Sequence, residues 1–178
     1  MQLPSLHRAL SFALQAHSGV DREGQAPLPY VTHPIEVLTN LRFIGGVTDP
    51  ELLCVAALHD VVEDSPIHLS EIKAQFGNRV ARLVEELTRR EPSESETMGM
   101  DKAEIWSLRS KILLSEIASM SPDAQTVKLA DRLSNIRDAK RTKKGRKLDR
   151  YIGQTRRILE IVPESVNPGL WGAIKHEL

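Results

Sequence analysis

Apolar positions recur along this chain at three- and four-residue steps, in segments divided by Pro, Gly, Ser and Asp. Runs that alternate β-branched with polar residues between hairpin turns are missing. The pattern predicts an all-α protein. A first amphipathic helix opens at Pro4 and runs to about residue 17, and the polar stretch 18–29 reads as a loop. The next helix starts near His33 with Pro34 as its first residue. Asp49-Pro50-Glu51 sets an N-cap, a first-turn proline and an acidic residue in order, so a helix begins there and continues to about residue 64, where Pro66 stops it. Ser70 is expected to cap a short helix ending at Gly77, and Val80, Leu83, Val84 and Leu87 mark the apolar face of the next one. Residues 89–100 are polar, contain Pro and Gly, and form either a lid or a plain surface loop. Asp101 with Glu104 makes a capping box for a helix to about residue 119, and Ser121-Pro122 starts another to about residue 140. After a basic loop, 148–161 is amphipathic and closes before Pro163, and Asn167-Pro168 starts a short terminal helix containing Trp171. No repeat, heptad or interdomain linker interrupts residues 1–178, which read as a single domain.

Charge narrows the partners. The 24 Lys and Arg balance 24 Asp and Glu, so no net field favours nucleic acid or a membrane surface, and an anionic small molecule must be gripped locally. The lone Cys54 lies in the run Leu52-Leu53-Cys54-Val55-Ala56-Ala57-Leu58, where a buried inert thiol is the expectation. The N-terminus lacks a signal peptide's basic and apolar regions, and no apolar stretch approaches about 18 residues, so a cytoplasmic location is expected.

Chemistry concentrates on the segment from Glu51 to Val62. It is apolar on nearly every side, as a central helix is, yet carries His59 and Asp60 near its end. Asp60, Glu63 and Asp64 crowd a helix C-terminus, where the macrodipole disfavours anions and neighbouring carboxylates repel. A divalent cation would resolve both conflicts. An Asp paired to an Arg, with a His bonded to backbone, would do so too. His59 and Glu63 are four apart, as are Asp60 and Asp64, which suits one pair holding an ion and the other handling a water and its proton. Further ligands are needed to close a site. His33, between Pro29-Tyr30 and Pro34, and Asp131, with Asn135 one turn beyond, stand in conformationally fixed contexts. Taken singly, each also fits a capping histidine or a salt-bridged aspartate.

Three ordered segments carry more information than any one of them. Pro29-Tyr30-Val31-Thr32-His33-Pro34, then Leu58-His59-Asp60-Val61-Val62-Glu63-Asp64, then Val127-Lys128-Leu129-Ala130-Asp131-Arg132-Leu133-Ser134-Asn135 together resemble the RelA/SpoT-type hydrolase domain, over roughly residues 5 to 160. The resemblance implies a helical HD-domain bundle with a central metal site. It implies one Mn²⁺ held by His33, His59, Asp60 and Asp131, and catalysis by Glu63 and Asp64. It implies hydrolysis of guanosine 3′,5′-bis(diphosphate), with or without a further 5′-phosphate, to GDP or GTP and pyrophosphate. A chain of 178 residues has no room for the synthetase and regulatory regions of the large bifunctional enzymes, so it is similar to the stand-alone small alarmone hydrolases of the metazoan SpoT-homologue kind.

The same resemblance aligns Arg22 with a family arginine, Tyr30 and Asn135 with residues lining the nucleotide site, and Lys147 and Tyr151 with a basic residue and a tyrosine on a later helix. Lys147 also reads as a solvated charge in the basic run 140–147. Val20 stands where the family commonly has glutamine, Glu23 where many relatives have lysine, and Ser134 where histidine or tyrosine is usual. These departures border the expected base and phosphate pockets. They leave open another nucleotide as substrate, such as an adenosine alarmone or the 2′-phosphate of NADPH. A non-catalytic nucleotide-binding domain is the remaining alternative, against which the intact metal and acid residues argue.

Overall fold

A computed structural model describes residues 5–25 and 27–178, and among them the chain is all-α, with only an isolated bridge between Asp21 and Pro29. The expected helix start at Pro4 lies outside the described residues. Helix α1, Ser5–Ala16, buries Ala9 and Ala13 against α3, and α2, Thr32–Thr39, begins two residues before Pro34 and runs on into a π-helical turn, Asn40–Ile44. Helix α3, Pro50–Leu58, is capped by the Asp49 carboxylate, which accepts from the Glu51 N–H at 2.9 Å. Every residue from Leu52 to Leu58 is buried, Cys54 included.

The expected continuous helix to residue 64 is broken. His59 and Asp60 form a turn after α3, and a short α4, Val61–Asp64, follows. The His59 ring Nδ1 bonds the Ala56 carbonyl at 2.9 Å, the acceptor that an unbroken helix would offer to the Asp60 N–H. Asp60 sits at φ −97°, ψ −5°, in the bridge region common at functional sites. Its carbonyl still accepts from the Asp64 N–H at 2.9 Å, which keeps the four-residue step between the two acids.

Helix α5, Leu69–Phe76, starts earlier than a Ser70 cap would allow; Glu71 instead accepts from the His68 N–H at 3.0 Å. Gly77, at φ 92°, closes α5 and lets the chain turn directly into α6, Asn78–Leu87. The loop after α6 contains one further turn, α7, Glu94–Thr97, boxed by Ser93 and Glu96. Helix α8, Lys102–Ser119, has the Asp101 and Glu104 box, and α9, Pro122–Thr142, has the Ser121 cap. Helix α10, Arg146–Ile161, and a 3₁₀ turn, Glu164–Val166, lead to α11, Pro168–His176, whose Leu170 N–H bonds the Asn167 side chain at 3.0 Å. A Cβ at Gly169 would run into the Ile44 carbonyl, so glycine there lets α11 lie against the π turn.

The core centres on α3 and α9, with α1, α2, α6 and the π turn packed around them. Leu58, Leu129 and Leu133 are fully buried, each contributing on the order of 1.5–3 kcal/mol from removal of apolar surface. Helix α9 also buries Asp131, Arg132 and Ser134, polar residues whose burial must be offset by hydrogen bonds or opposite charge. Among the described residues no helix is long and apolar enough to cross a membrane.

Candidate functional site

The four residues proposed as ligands from separate segments meet at one point. His33 comes from the first turn of α2, His59 and Asp60 from the break after α3, and Asp131 from the middle of α9. The His33 and His59 rings lie 5.3 Å apart at 64°. His33 Nε2 is 3.4 Å from Asp60 Oδ2 and 3.3 Å from Asp131 Oδ1; His59 Nε2 is 3.0 Å from Asp60 Oδ1 and 3.9 Å from Asp131 Oδ1. Ligand atoms of His33, His59 and Asp60 all fall within 4.8 Å of one another.

Both histidines use Nδ1 elsewhere, His33 on the Ser134 hydroxyl at 3.1 Å and His59 on the Ala56 carbonyl, so both Nε2 atoms face the carboxylates. His59 Nε2 is buried without an aligned hydrogen bond. An orphaned imidazole nitrogen aimed at a second imidazole and two carboxylates is a donor set that fits a divalent cation. Electrostatics agree. Burial alone would push His59 down, but Asp60 and Asp131 outweigh it and raise the ring to about 9. Burial likewise pushes Asp60 and Asp131 up, and is outweighed for Asp60 by His59 and His33 and for Asp131 chiefly by Lys128, so both stay below the usual carboxylate range. The two ionised carboxylates thus favour positive charge on His59.

A cleft of about 460 Å³ opens beside this cluster, with His33, Asp60 and Asp131 in its wall together with Glu63 and Asp64. Burial raises the Glu63 carboxyl above its ordinary value against the opposing charge of Arg89. Tyr30, Asn135 and Tyr151 line the cleft. The Tyr30 hydroxyl donates to Asp60 Oδ2 at 2.7 Å, and burial beside Asp60 pushes this phenol far above its usual range. The Asn135 amide donates to Asp131 Oδ1. Arg22 also reaches the cleft wall, but it is only 6% exposed and its guanidinium is taken by Glu36 at 3.0 Å and Asp138 at 3.7 Å. Lys147 is exposed on α10 and is not brought to the cleft. Lys143 is, with its ammonium 5.8 Å from the centre of the Tyr151 ring.

Several lining residues have no role assigned by the three motifs. Lys128 binds Asp131 Oδ2 at 2.9 Å; its position three before Asp131 in one helix was the signal that could have found it. Arg132 stacks on Tyr151 at 4.0 Å and bonds Thr155 and Gln154 at 2.9 and 2.8 Å, which fixes the tyrosine ring. Arg89, Trp106 and Arg109 approach from the loop after α6 and from α8, and nothing local in the sequence announces them.

A helical scaffold that gathers two histidines and two aspartates from three segments beside an acidic pair is the arrangement of a metal-dependent phosphohydrolase. The chain belongs to the HD domain family, whose model matches residues 9–157. It is 38% identical over 136 residues to the human guanosine-3′,5′-bis(diphosphate) 3′-pyrophosphohydrolase MESH1, covering 76% of this chain and 70% of that one. It is 36% identical over 147 residues to a probable guanosine-3′,5′-bis(diphosphate) 3′-pyrophosphohydrolase of Synechocystis, covering 80% of this chain but 18% of the relative. Among solved structures, a metazoan SpoT ortholog described as hydrolysing ppGpp superposes with a TM-score of 0.83 at 27% identity, covering 99% of this chain and 95% of that one.

Proposed function

We propose that this chain is a Mn²⁺-dependent hydrolase that removes the 3′-diphosphate of guanosine 3′,5′-bis(diphosphate), or of its 5′-triphosphate form, acting as one HD-type domain over residues 1–178. The observation that carries this reading is the convergence of His33, His59, Asp60 and Asp131 at one point beside a cleft that Glu63 and Asp64 also line. The names of the relatives supply the substrate class.

His33, His59, Asp60 and Asp131 would hold the ion, and mixed nitrogen and oxygen ligation with room for further ligands suits Mn²⁺ better than a closed structural zinc site. Bound there, Mn²⁺ would neutralise phosphoryl charge and lower the pKa of a water. Tyr30 fixes Asp60, while Lys128 and Asn135 fix Asp131, so both carboxylates present their remaining lone pairs to the site. Glu63 and Asp64 orient the water and take its proton. The raised Glu63 carboxyl is the more basic for it, which brings a carboxylate closer to the working pH. The water oxygen bonds to the phosphorus attached at O3′, the P–O3′ bond breaks, and the nucleoside oxygen leaves with a proton, giving GDP or GTP and pyrophosphate.

Tyr151 and Asn135 frame the base and ribose. Lys143, at the cleft wall, is better placed for a phosphate than the exposed Lys147, and a phosphate reaching Arg22 would have to compete with Glu36 and Asp138. The balanced charge of the chain favours a small nucleotide over nucleic acid or membrane, and the buried thiol of Cys54 suits a reducing cytoplasm. Incubation with Mn²⁺ and, separately, guanosine 3′,5′-bis(diphosphate), an adenosine alarmone and NADPH, with products resolved by ion exchange, tests the reading. GDP with pyrophosphate is expected from the first. Turnover of only another nucleotide, or binding without turnover, would overturn it.

A further inference from the structure

Behind the cluster, a chain of hydrogen bonds runs from His33 outward to the half-exposed carboxylate of Glu36. His33 Nδ1 lies 3.1 Å from Ser134 Oγ, Ser134 Oγ is 2.7 Å from Glu36 Oε2, and Arg22 Nη1 is 3.0 Å from that same carboxylate oxygen. His33 is 4% exposed and Ser134 2%, so these two have little water to turn to, while the Glu36 side chain, 40% exposed, is held by the buried Arg22. Ser134 has one hydroxyl proton. Glu36, paired with Arg22, is an ionised acceptor, so that proton goes to Glu36 and the Ser134 oxygen is left to accept from His33. His33 must then carry its proton on Nδ1, which leaves the Nε2 lone pair pointing at Asp60 and Asp131.

We infer that Ser134 and Glu36 are positioning residues that set the tautomer and ring orientation of His33 as a metal ligand, with Arg22 holding Glu36 in its accepting state. The inference rests on the proposed ligand role of His33. It gives Arg22 a task other than gripping phosphate, one that accounts for its burial and its two carboxylate partners. It also gives a reason for a small hydroxyl residue at 134. The gap between His33 and Glu36 needs one group that accepts from the ring and donates to the acid, and serine fills it. His59 reaches the same tautomer by a different route, through the Ala56 carbonyl, so the two ligands depend on independent anchors.

Removing such an outer partner typically weakens metal affinity by about 10–100-fold. Ser134→Ala deletes the acceptor for His33, Glu36→Ala frees the Ser134 proton to point at His33, and Ser134→Thr keeps the hydroxyl. The test titrates each full-length protein with Mn²⁺, counting free ion by its electron paramagnetic resonance signal, alongside thermal melting without metal. Ser134→Ala and Glu36→Ala should each lose about 10–100-fold in affinity, and Ser134→Thr should recover most of it, whatever small change each makes to metal-free melting. Wild-type affinity in both alanine variants would overturn the relay alone. So would a lowered metal-free melting temperature with affinity unchanged, or equal losses in the alanine and threonine variants. No Mn²⁺ binding by the wild type would overturn the ligand assignment and the relay with it.

Discussion

Arg89 holds Glu63 from two sides: its guanidinium reaches Oε1 at 2.8 Å and its backbone N–H reaches Oε2 at 3.3 Å. The same guanidinium binds Glu91 at 2.8 Å, and Glu91 binds Arg109 at 2.7 Å, so the loop after α6 is tied to the acid in the cleft. Burial raises the Glu63 carboxyl, and the Arg89 charge opposes that rise. Arg89→Ala removes the opposing charge and leaves the backbone contact. If Glu63 takes the proton of the attacking water, it must be ionised, and a higher Glu63 pKa moves the acidic limb of the kcat–pH profile to higher pH. Profiles of wild type and variant check this; coincident acidic limbs would remove Glu63 from the role of base.

Metal binding should be coupled to stability, because the proposed ligands come from three separate segments. Saturation to about 100 times Kd is worth roughly 2.7 kcal/mol for a ligand that binds only the folded state. Chelation should therefore lower Tm as well as stop turnover, and His59→Ala and Asp131→Ala should each bind Mn²⁺ far more weakly. Metal content by elemental analysis after dialysis gives the answer, and wild-type content in both variants would rule out these ligands.

His17 offers a pH signature away from turnover. Its ring lies 4.6 Å from that of Tyr30, tilted by 43°, and neither nitrogen has a hydrogen-bond partner. Burial lowers its pKa below the ordinary 6.5, against the raising effect of Asp60 and Asp64. The folded state thus prefers the neutral ring while the unfolded chain takes up a proton first. This contribution is complete above pH 6.5 and is lost as pH falls toward the folded-state value. Urea unfolding of wild type and His17→Phe across pH 8 to about 5 should show a steeper acidic decline in the wild type. Parallel curves would mean that the ring is protonated in the fold.

What could be read in the sequence was mostly what is local. Asp49, Asp101, Ser121 and Asn167 cap the helices they were expected to cap, because each satisfies N–H groups within three residues of itself. The three motifs that brought His33, His59, Asp60 and Asp131 together were legible as an ordered set. The break at His59 was not, since it depends on a ring reaching back to the Ala56 carbonyl in place of the helix ladder. The partners of Arg22 stand 14 and 116 positions later in the chain, so only the fold delivers them. The basic run 140–147 hid which lysine faces the cleft. That depends on where α9 ends, on Gly145 at φ 54° and on where α10 begins, a turn geometry that charge composition does not encode.

Core packing gives a further check on the fold. Leu133, fully buried one residue before Ser134, lies on the inward face of α9. Leu133→Ala should destabilise the protein by about 2–5 kcal/mol in denaturant unfolding, the range for a buried leucine that leaves a cavity. A change under about 1 kcal/mol would place this side chain at the surface.

The division of labour between the ion-holding cluster and the acid pair is tested most directly by kcat at matched metal occupancy. Glu63→Gln and Asp64→Asn keep size and hydrogen bonding while removing the basic carboxylate. With Mn²⁺ content and Tm measured on the same preparations, both variants should remain metal-loaded and folded. Their hydrolysis of guanosine 3′,5′-bis(diphosphate) should fall by roughly 10²–10⁴-fold, the usual worth of positioned acid–base assistance. Near-wild-type kcat at full occupancy in both variants would contradict the account.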